Sequence, residues 1–313
     1  MTQRVLITGG AGYIGSILTD TLLKQGYKVT VYDNLQYKQT SLLSHCSNPN
    51  FTFIKGDVRF ILHDLKLIDY DIIIPLAAIV GMPACDANPQ QAIDINYIHV
   101  REIIDNTAKD QKLILPNTNS QYGSSENIIT EESPFNPLSL YAKTKCDAEN
   151  YLLSSKRSGV SLRLATVFGV SPRMRLDLLV NDFVYRAVND KFLVLFQANF
   201  KRNYIHVRDI ANTFQFIIDN YDKCRGQAFN VGLSTANLSK LELANKIKEY
   251  IPDLAILEEA FAEDFDKRNY IVSNDKLESL GWKPQFTLDD GIKELITGYK
   301  MITTFRNRDF TNL

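Results

Sequence analysis

A phenol and an amine stand four residues apart in Tyr141-Ala-Lys-Thr-Lys145. On a helix, that spacing places both on one face. A free phenol, with a pKa of about 10, is a poor base at neutral pH. An ammonium ~4 Å away, at an effective dielectric of ~20, favours the phenolate by about 4 kcal/mol. The pair therefore reads as a general base poised near neutrality. Just upstream lies Asn117-Thr118-Asn119-Ser120-Gln121-Tyr122-Gly123, a polar loop after an apolar run. A hydroxyl there, that of Thr118, can hydrogen-bond the substrate oxygen whose proton Tyr141 takes. Many solvated helices carry Tyr and Lys at this spacing, so the pair counts only if other elements bring a partner to it.

The strongest such element is Val5-Leu6-Ile7-Thr8-Gly9-Gly10-Ala11-Gly12-Tyr13-Ile14-Gly15. Its continuous apolar run reads as a buried parallel strand. Gly9 permits a sharp turn, Gly12 a close approach of the backbone to a pyrophosphate, and Gly15 the packing of the next helix on the strand. That helix starts around Gly12, Tyr13 and Ile14 with unpaired N–H groups, a seat for an anion. A second strand, Lys28 to Asp33, ends in a carboxylate about 20 residues past the glycines, where it can hold a ribose 2′-OH. Asn34 follows it. The pattern predicts a dinucleotide site, with NAD favoured because Asp33 repels a 2′-phosphate.

Further strands are predicted at Phe51 to Ile54, Asp71 to Leu76, Lys112 to Leu115 and Ser161 to Val167, with helices from Gly12 to Gln25, from Pro89 and from Ser139. The Pro89 helix is expected to bury Ile93, Ile98 and Ile103. This alternation predicts an α/β fold, a Rossmann-type doubly wound parallel sheet with both faces covered. After Phe168 the rhythm changes. Residues 1–168 with 203–226 read as the NAD-binding domain. Residues 169–202 with 227–313 read as a smaller lobe interleaved with it in sequence.

Composition narrows the class. The chain has 313 residues, 35 basic and 36 acidic, a net charge of −1. No global field points to nucleic acid or to a membrane surface. The longest apolar stretch, Ile72 to Ala84, is well short of the ~20 residues a span needs. The four cysteines are scattered and the four histidines lack metal spacing, so no metal site is expected. No signal-peptide pattern opens the chain. The reading is a cytoplasmic protein.

On these motifs the sequence resembles the extended short-chain dehydrogenase/reductases that act on nucleotide-activated sugars. Gly9, Gly12 and Gly15 stand at the family's TGxxGxxG glycines, and Thr118, Tyr141 and Lys145 at its Ser/Thr-Tyr-Lys triad. The resemblance implies that Asp33 and Asn34 meet the adenosine ribose, Asp57 and Val58 the adenine, and Leu76, Ala77 and Ala78 the cofactor ribose. It implies that Asn96 lies near the active site, and that Asn181, Arg202 and Arg268 hold a nucleoside-diphosphate sugar. It further implies a homodimer built on the helices that start at Pro89 and Ser139. The dehydratases of this family carry an acid pair directly after the triad threonine, and its sugar-acid decarboxylases keep a glutamate at the second place. Here these are Asn119 and Ser120, so neither reaction is expected. Thr166 replaces an asparagine common in the 4-epimerases. Leu76 to Cys85 and Pro116 to Gly123 resemble a bacterial subgroup that processes GDP-linked heptoses for capsular polysaccharide. Oxidation of a ring hydroxyl by NAD remains, with or without return of the hydride. A sensor or scaffold that binds NAD without turnover stays open, although it has no use for the triad.

Overall fold

The computed structural model describes residues 2–259 and 268–302. Its strands are β1 (Arg4–Thr8), β2 (Lys28–Asp33), β3 (Phe51–Lys55), β4 (Ile72–Pro75), β5 (Lys112–Thr118), β6 (Ile128–Ile129), β7 (Val160–Leu164), β8 (Thr166–Phe168), β9 (Phe192–Phe196), β10 (Lys201–His206), β11 (Ala228–Val231), β12 (Asn237–Ser239), β13 (Ala255–Glu259) and β14 (Ile271–Val272). Seven of them form one sheet in the order β11-β7-β5-β4-β1-β2-β3. Every pairing in it is parallel. This is the Rossmann-like doubly wound fold anticipated from the alternation.

Both faces of the sheet are covered, so its central strands β1 and β4 are buried runs rather than alternating ones. In β1, Val5 and Ile7 join the core layer on one face and Leu6 the layer on the other. Tyr13–Lys24 covers the first face, and the helical stretch from Pro89 with Leu140–Ser154 covers the second. The chain leaves β1 toward β2 and β3, then reverses to β4 and β5. The carboxyl ends of β1 and β4 thus bound a crevice at the switch point, the place where such sheets bind ligands.

Two predicted elements differ instructively. The strand expected from Ser161 to Val167 is two strands in two sheets. β7 pairs with β5 and β11, whereas β8 pairs with β10 in a smaller sheet ordered β12-β10-β8. Ala165 is the joint, and its N–H donates to the Val231 carbonyl at 2.9 Å. A continuous apolar run cannot reveal a change of partner. The helical stretch from Pro89 holds a π turn over Asp94–Ile98. The wider turn rotates the remainder of the helix about its axis. Ala92, Ile95, Asn96, Val100, Ile103 and Ile104 are the buried residues, while Ile93 and Ile98 are only half-buried. Strand β11 pairs with β7 in the large sheet, although the sequence pattern assigns residues 227 onward to the smaller lobe.

Candidate active site

One cavity of about 680 Å³ runs along the crevice. The glycine loop forms one wall, and its shape follows from missing side chains. Gly9 has φ +69°, and a Cβ there would stand 2.7 Å from the Cα of Ala77 at the end of β4. A Cβ on Gly15 would stand 2.6 Å from the Cα of Gly10. The helix therefore starts hard against the strand, with Gly12 as its N-cap and no side chain bonded across its first N–H groups. Asp33 lines the same end. Its carboxylate accepts from the Ala11 N–H at 3.0 Å and the Leu35 N–H at 2.8 Å. Burial raises its pKa, opposed by those two bonds.

The other end holds the candidate chemistry. Ser139 caps the helix Leu140–Ser154 by accepting from the Ala142 N–H. This places Tyr141 and Lys145 on the cavity wall, with Thr118 at the end of β5 facing them. Thr118 hydrogen-bonds Tyr141. It also donates to Ser120 Oγ at 3.0 Å and accepts the Ser120 N–H at 3.1 Å. Arg268 Nη1 donates to the same Ser120 hydroxyl. The Lys145 ammonium donates to the Pro116 carbonyl at 2.6 Å.

The expected lysine effect on the phenol is not found. Burial pushes Tyr141 up to about 12, and the cations opposing that are Arg175 and Arg268. Burial also pulls Lys145 down to about 8, against the pull of Glu149. Desolvation is the largest influence on both groups and disfavours both charged forms.

The cavity gathers most residues singled out in the sequence: Gly9, Gly12, Tyr13, Ile14, Asp33, Asn34, Val58, Leu76, Ala77, Ala78, Thr118, Tyr141, Lys145, Arg202 and Arg268. Three stand behind it instead. The Asp57 carboxylate is engaged by the Arg59 guanidinium at 2.7 Å, between the wall residues Gly56 and Val58. Asn96 is fully buried and clamps Ile79, accepting its N–H at 2.8 Å and donating to its carbonyl at 2.9 Å. Asn181 is fully buried, accepts the Gly169 N–H at 3.0 Å and donates to the Arg175 carbonyl at 2.8 Å and the Tyr13 hydroxyl at 3.2 Å. It positions the wall rather than facing a ligand. Sequence reasoning misses Arg173, Arg175, Lys240 and Tyr37, which also line the cavity. Arg173 stacks on the Tyr37 ring with its guanidinium 4.9 Å from the centroid. The basic Pro172-Arg173-Met174-Arg175 run is the signal that could have found two of them. Among the described residues no group of His, Cys, Asp or Glu could hold a metal ion.

The volume lies within the ~300–1,000 Å³ of small-molecule sites. The side-chain-free cradle of Gly9 and Gly12, the open helix N-terminus and the Asp33 carboxylate fit a dinucleotide. The comparison with known proteins agrees. The model of the NAD dependent epimerase/dehydratase family matches residues 5–232, and the chain belongs to that family. It is 29% identical to UDP-glucuronic acid decarboxylase 1 of Arabidopsis thaliana over 97% of this chain and 70% of that protein. It is 25% identical to dTDP-D-glucose 4,6-dehydratase of Mus musculus over 95% of this chain and 89% of that one. Its fold is that of the UDP-glucuronic acid 4-epimerase of Bacillus cereus, solved with UDP-glucuronic acid and NAD, at a TM-score of 0.82 and 24% identity, covering 96% and 99% of the two chains. The protein is thus an NAD-dependent enzyme of the sugar-nucleotide epimerase/dehydratase class.

Tyr141→Phe keeps the ring and removes only the phenol oxygen, the group expected to act as acid and base. Turnover should fall about 10²–10⁴-fold while NAD binding, measured by titration calorimetry, is kept. A near-normal rate would remove Tyr141 from the reaction. The Lys145 ammonium is present below its pKa of about 8 and lost as pH rises through it. Turnover should therefore decline on the alkaline side around that pH. A profile still rising through pH 10 would show that the lysine charge is not needed.

Proposed function

We propose that this protein oxidises a ring hydroxyl, at C4, of a nucleoside-diphosphate sugar. The carrying observation is that Thr118, Tyr141 and Lys145 meet at one end of a cavity whose other end is the glycine loop, with no acid at positions 119 or 120. NAD, when bound, supplies a hydride acceptor. The Tyr141 phenolate takes the proton of the C4 hydroxyl as the C4 hydrogen leaves as hydride, and the C–O bond becomes a carbonyl. Thr118 donates a hydrogen bond to that oxygen. Lys145 is assigned to the cofactor ribose and to the charge of the phenolate. Dehydration and decarboxylation need an acid or base beyond the triad. The groups available there are the Asn119 amide and the Ser120 hydroxyl, which do not serve at neutral pH.

The leading substrate is GDP-D-glycero-α-D-manno-heptose, which a 4-dehydrogenase converts to its 4-keto sugar in the making of capsular polysaccharide. The resemblance in Leu76 to Cys85 and Pro116 to Gly123 supports it. A 4-epimerase is the second reading, favoured by the fold shared with the Bacillus cereus UDP-glucuronic acid 4-epimerase. In it the keto sugar turns and receives the hydride on its other face. In either case Arg202 and Arg268 hold the diphosphate, a task suited to guanidinium groups.

Substrate deuterated at C4 should deliver its label to NAD, read by mass spectrometry of the released cofactor. Label kept on the sugar through a full oxidation would exclude C4. NMR of the products from GDP-, UDP-, CDP- and dTDP-sugars separates the two readings. Arg202→Met should weaken substrate binding roughly 10- to 150-fold, since a charge-assisted bond contributes about 1.5–3 kcal/mol.

We also propose a cytoplasmic homodimer joined through the helical stretch from Pro89 and the helix Leu140–Ser154 as a four-helix bundle. No helix among the described residues is long and apolar enough to cross a membrane. Analytical ultracentrifugation at micromolar concentration should show a dimer, and a monomer would rule it out.

A further inference from the structure

Asn117 stands one residue before Thr118 and is 3% exposed. Its carboxamide makes three bonds, all to the candidate machinery or its support. Nδ2 donates to the Lys145 carbonyl at 3.1 Å and to Glu149 Oε2 at 2.8 Å. Oδ1 accepts the Thr118 N–H at 2.9 Å. The orientation of the amide follows from its partners, since a flipped group would set oxygen against two oxygens.

The partner across from it is fixed. Glu149 is fully buried, and its carboxylate accepts from Arg163 Nε at 2.9 Å, Arg163 Nη2 at 2.6 Å and Ser161 Oγ at 2.6 Å. Tyr141, Lys145 and Glu149 follow one another at intervals of four along the same helix. One planar amide thus refers the Thr118 backbone to the helix turn that carries Lys145. Serine or alanine at 117 would span neither gap, and aspartate would set a second carboxylate against Glu149.

We propose that Asn117 is a positioning residue, anchored on Glu149, that sets the placement of Thr118 against the Tyr141–Lys145 pair. The proposal rests on the oxidation proposed for this site. A misplacement of about 1 Å in such a constellation can cost on the order of 100-fold in rate.

The test is Asn117→Ala, with Asn117→Ser carrying the same measurements should the alanine variant not fold. Without substrate, exchange of the Thr118 amide, followed by NMR on deuterated protein, should speed up at least about tenfold. With substrate, kcat should fall roughly 10- to 100-fold while KM and NAD affinity stay within about threefold. In a Thr118→Ala background the same substitution should cost less than about threefold, because the residue it positions is gone. Unchanged Thr118 exchange, a loss confined to KM, or an equal loss in the Thr118→Ala background would each overturn the proposal. A wild-type protein inert on every sugar nucleotide would instead overturn the oxidation reading, and the exchange measurement alone would then decide whether Asn117 holds Thr118.

Discussion

A carboxylate with no access to water organises the reacting end of this protein. Glu149 lies inside, and isolated there it would be very costly. Arg163 neutralises it, with Ser161 and Asn117 taking further lone pairs. Arg163 is itself enclosed, its guanidinium 5.3 Å from the Tyr122 ring centroid and 4.8 Å from that of Phe135. These partners come from β5, β7, the loops after β5 and β6 and the helix Leu140–Ser154, so the charge pair acts as a register pin among them. Replacing such a pair by apolar residues can be neutral for stability, whereas breaking it is not. Its consequence is geometric: the helix bearing Tyr141 and Lys145 has one seating against β5.

The cofactor end depends on another constraint, close backbone approach. The glycine pattern is legible because it reports a lack of side chains, and a missing Cβ at Gly9 or Gly15 means the same in any context. The triad is legible for a similar reason, since spacing along one helix and position after one strand fix it locally. What escapes depends on three-dimensional surroundings. The sequence shows Tyr141 next to Lys145 but not how much water their fold removes, so spacing alone puts the phenol low when burial puts it high. It shows Asn96 and Asn181 as polar residues in the right segments but not that each is occupied with backbone groups behind the wall. The joint at Ala165 and the π turn at Asn96 change partners or rotation without changing hydrophobicity, so no periodicity records them.

Residues that follow β8 make the cavity cationic within a nearly neutral chain. Arg173, Arg175, Arg202, Lys240 and Arg268 line it beside Asp177 and Asp182. Asp177 pairs with Arg175 at 2.5 Å, so part of this charge is spent internally. A confined positive wall of this kind selects one anionic ligand by shape, where a broad basic face would collect polyanions. Arg268 ties that wall to the reacting end, since the hydroxyl it contacts on Ser120 is the one that Thr118 also reaches. Arg268, Ser120 and Thr118 are therefore neighbours in one hydrogen-bonded group.

The pKa order in the protein bears on when the base forms. Burial holds the Tyr141 proton on and loosens that of Lys145. At neutral pH the unliganded pair is therefore a phenol beside an ammonium, with little phenolate. In the proposed oxidation Tyr141 would act as a base only with further positive charge near it, which an oxidised nicotinamide ring would supply. In the oxidation proposed for this site, the proton and the hydride leaving the sugar would then be coupled through one electrostatic variable. A site that lowered the phenol permanently would lose this coupling. Desolvation, which at first sight spoils the base, would on that reading make the Tyr141 proton sensitive to charge placed beside it.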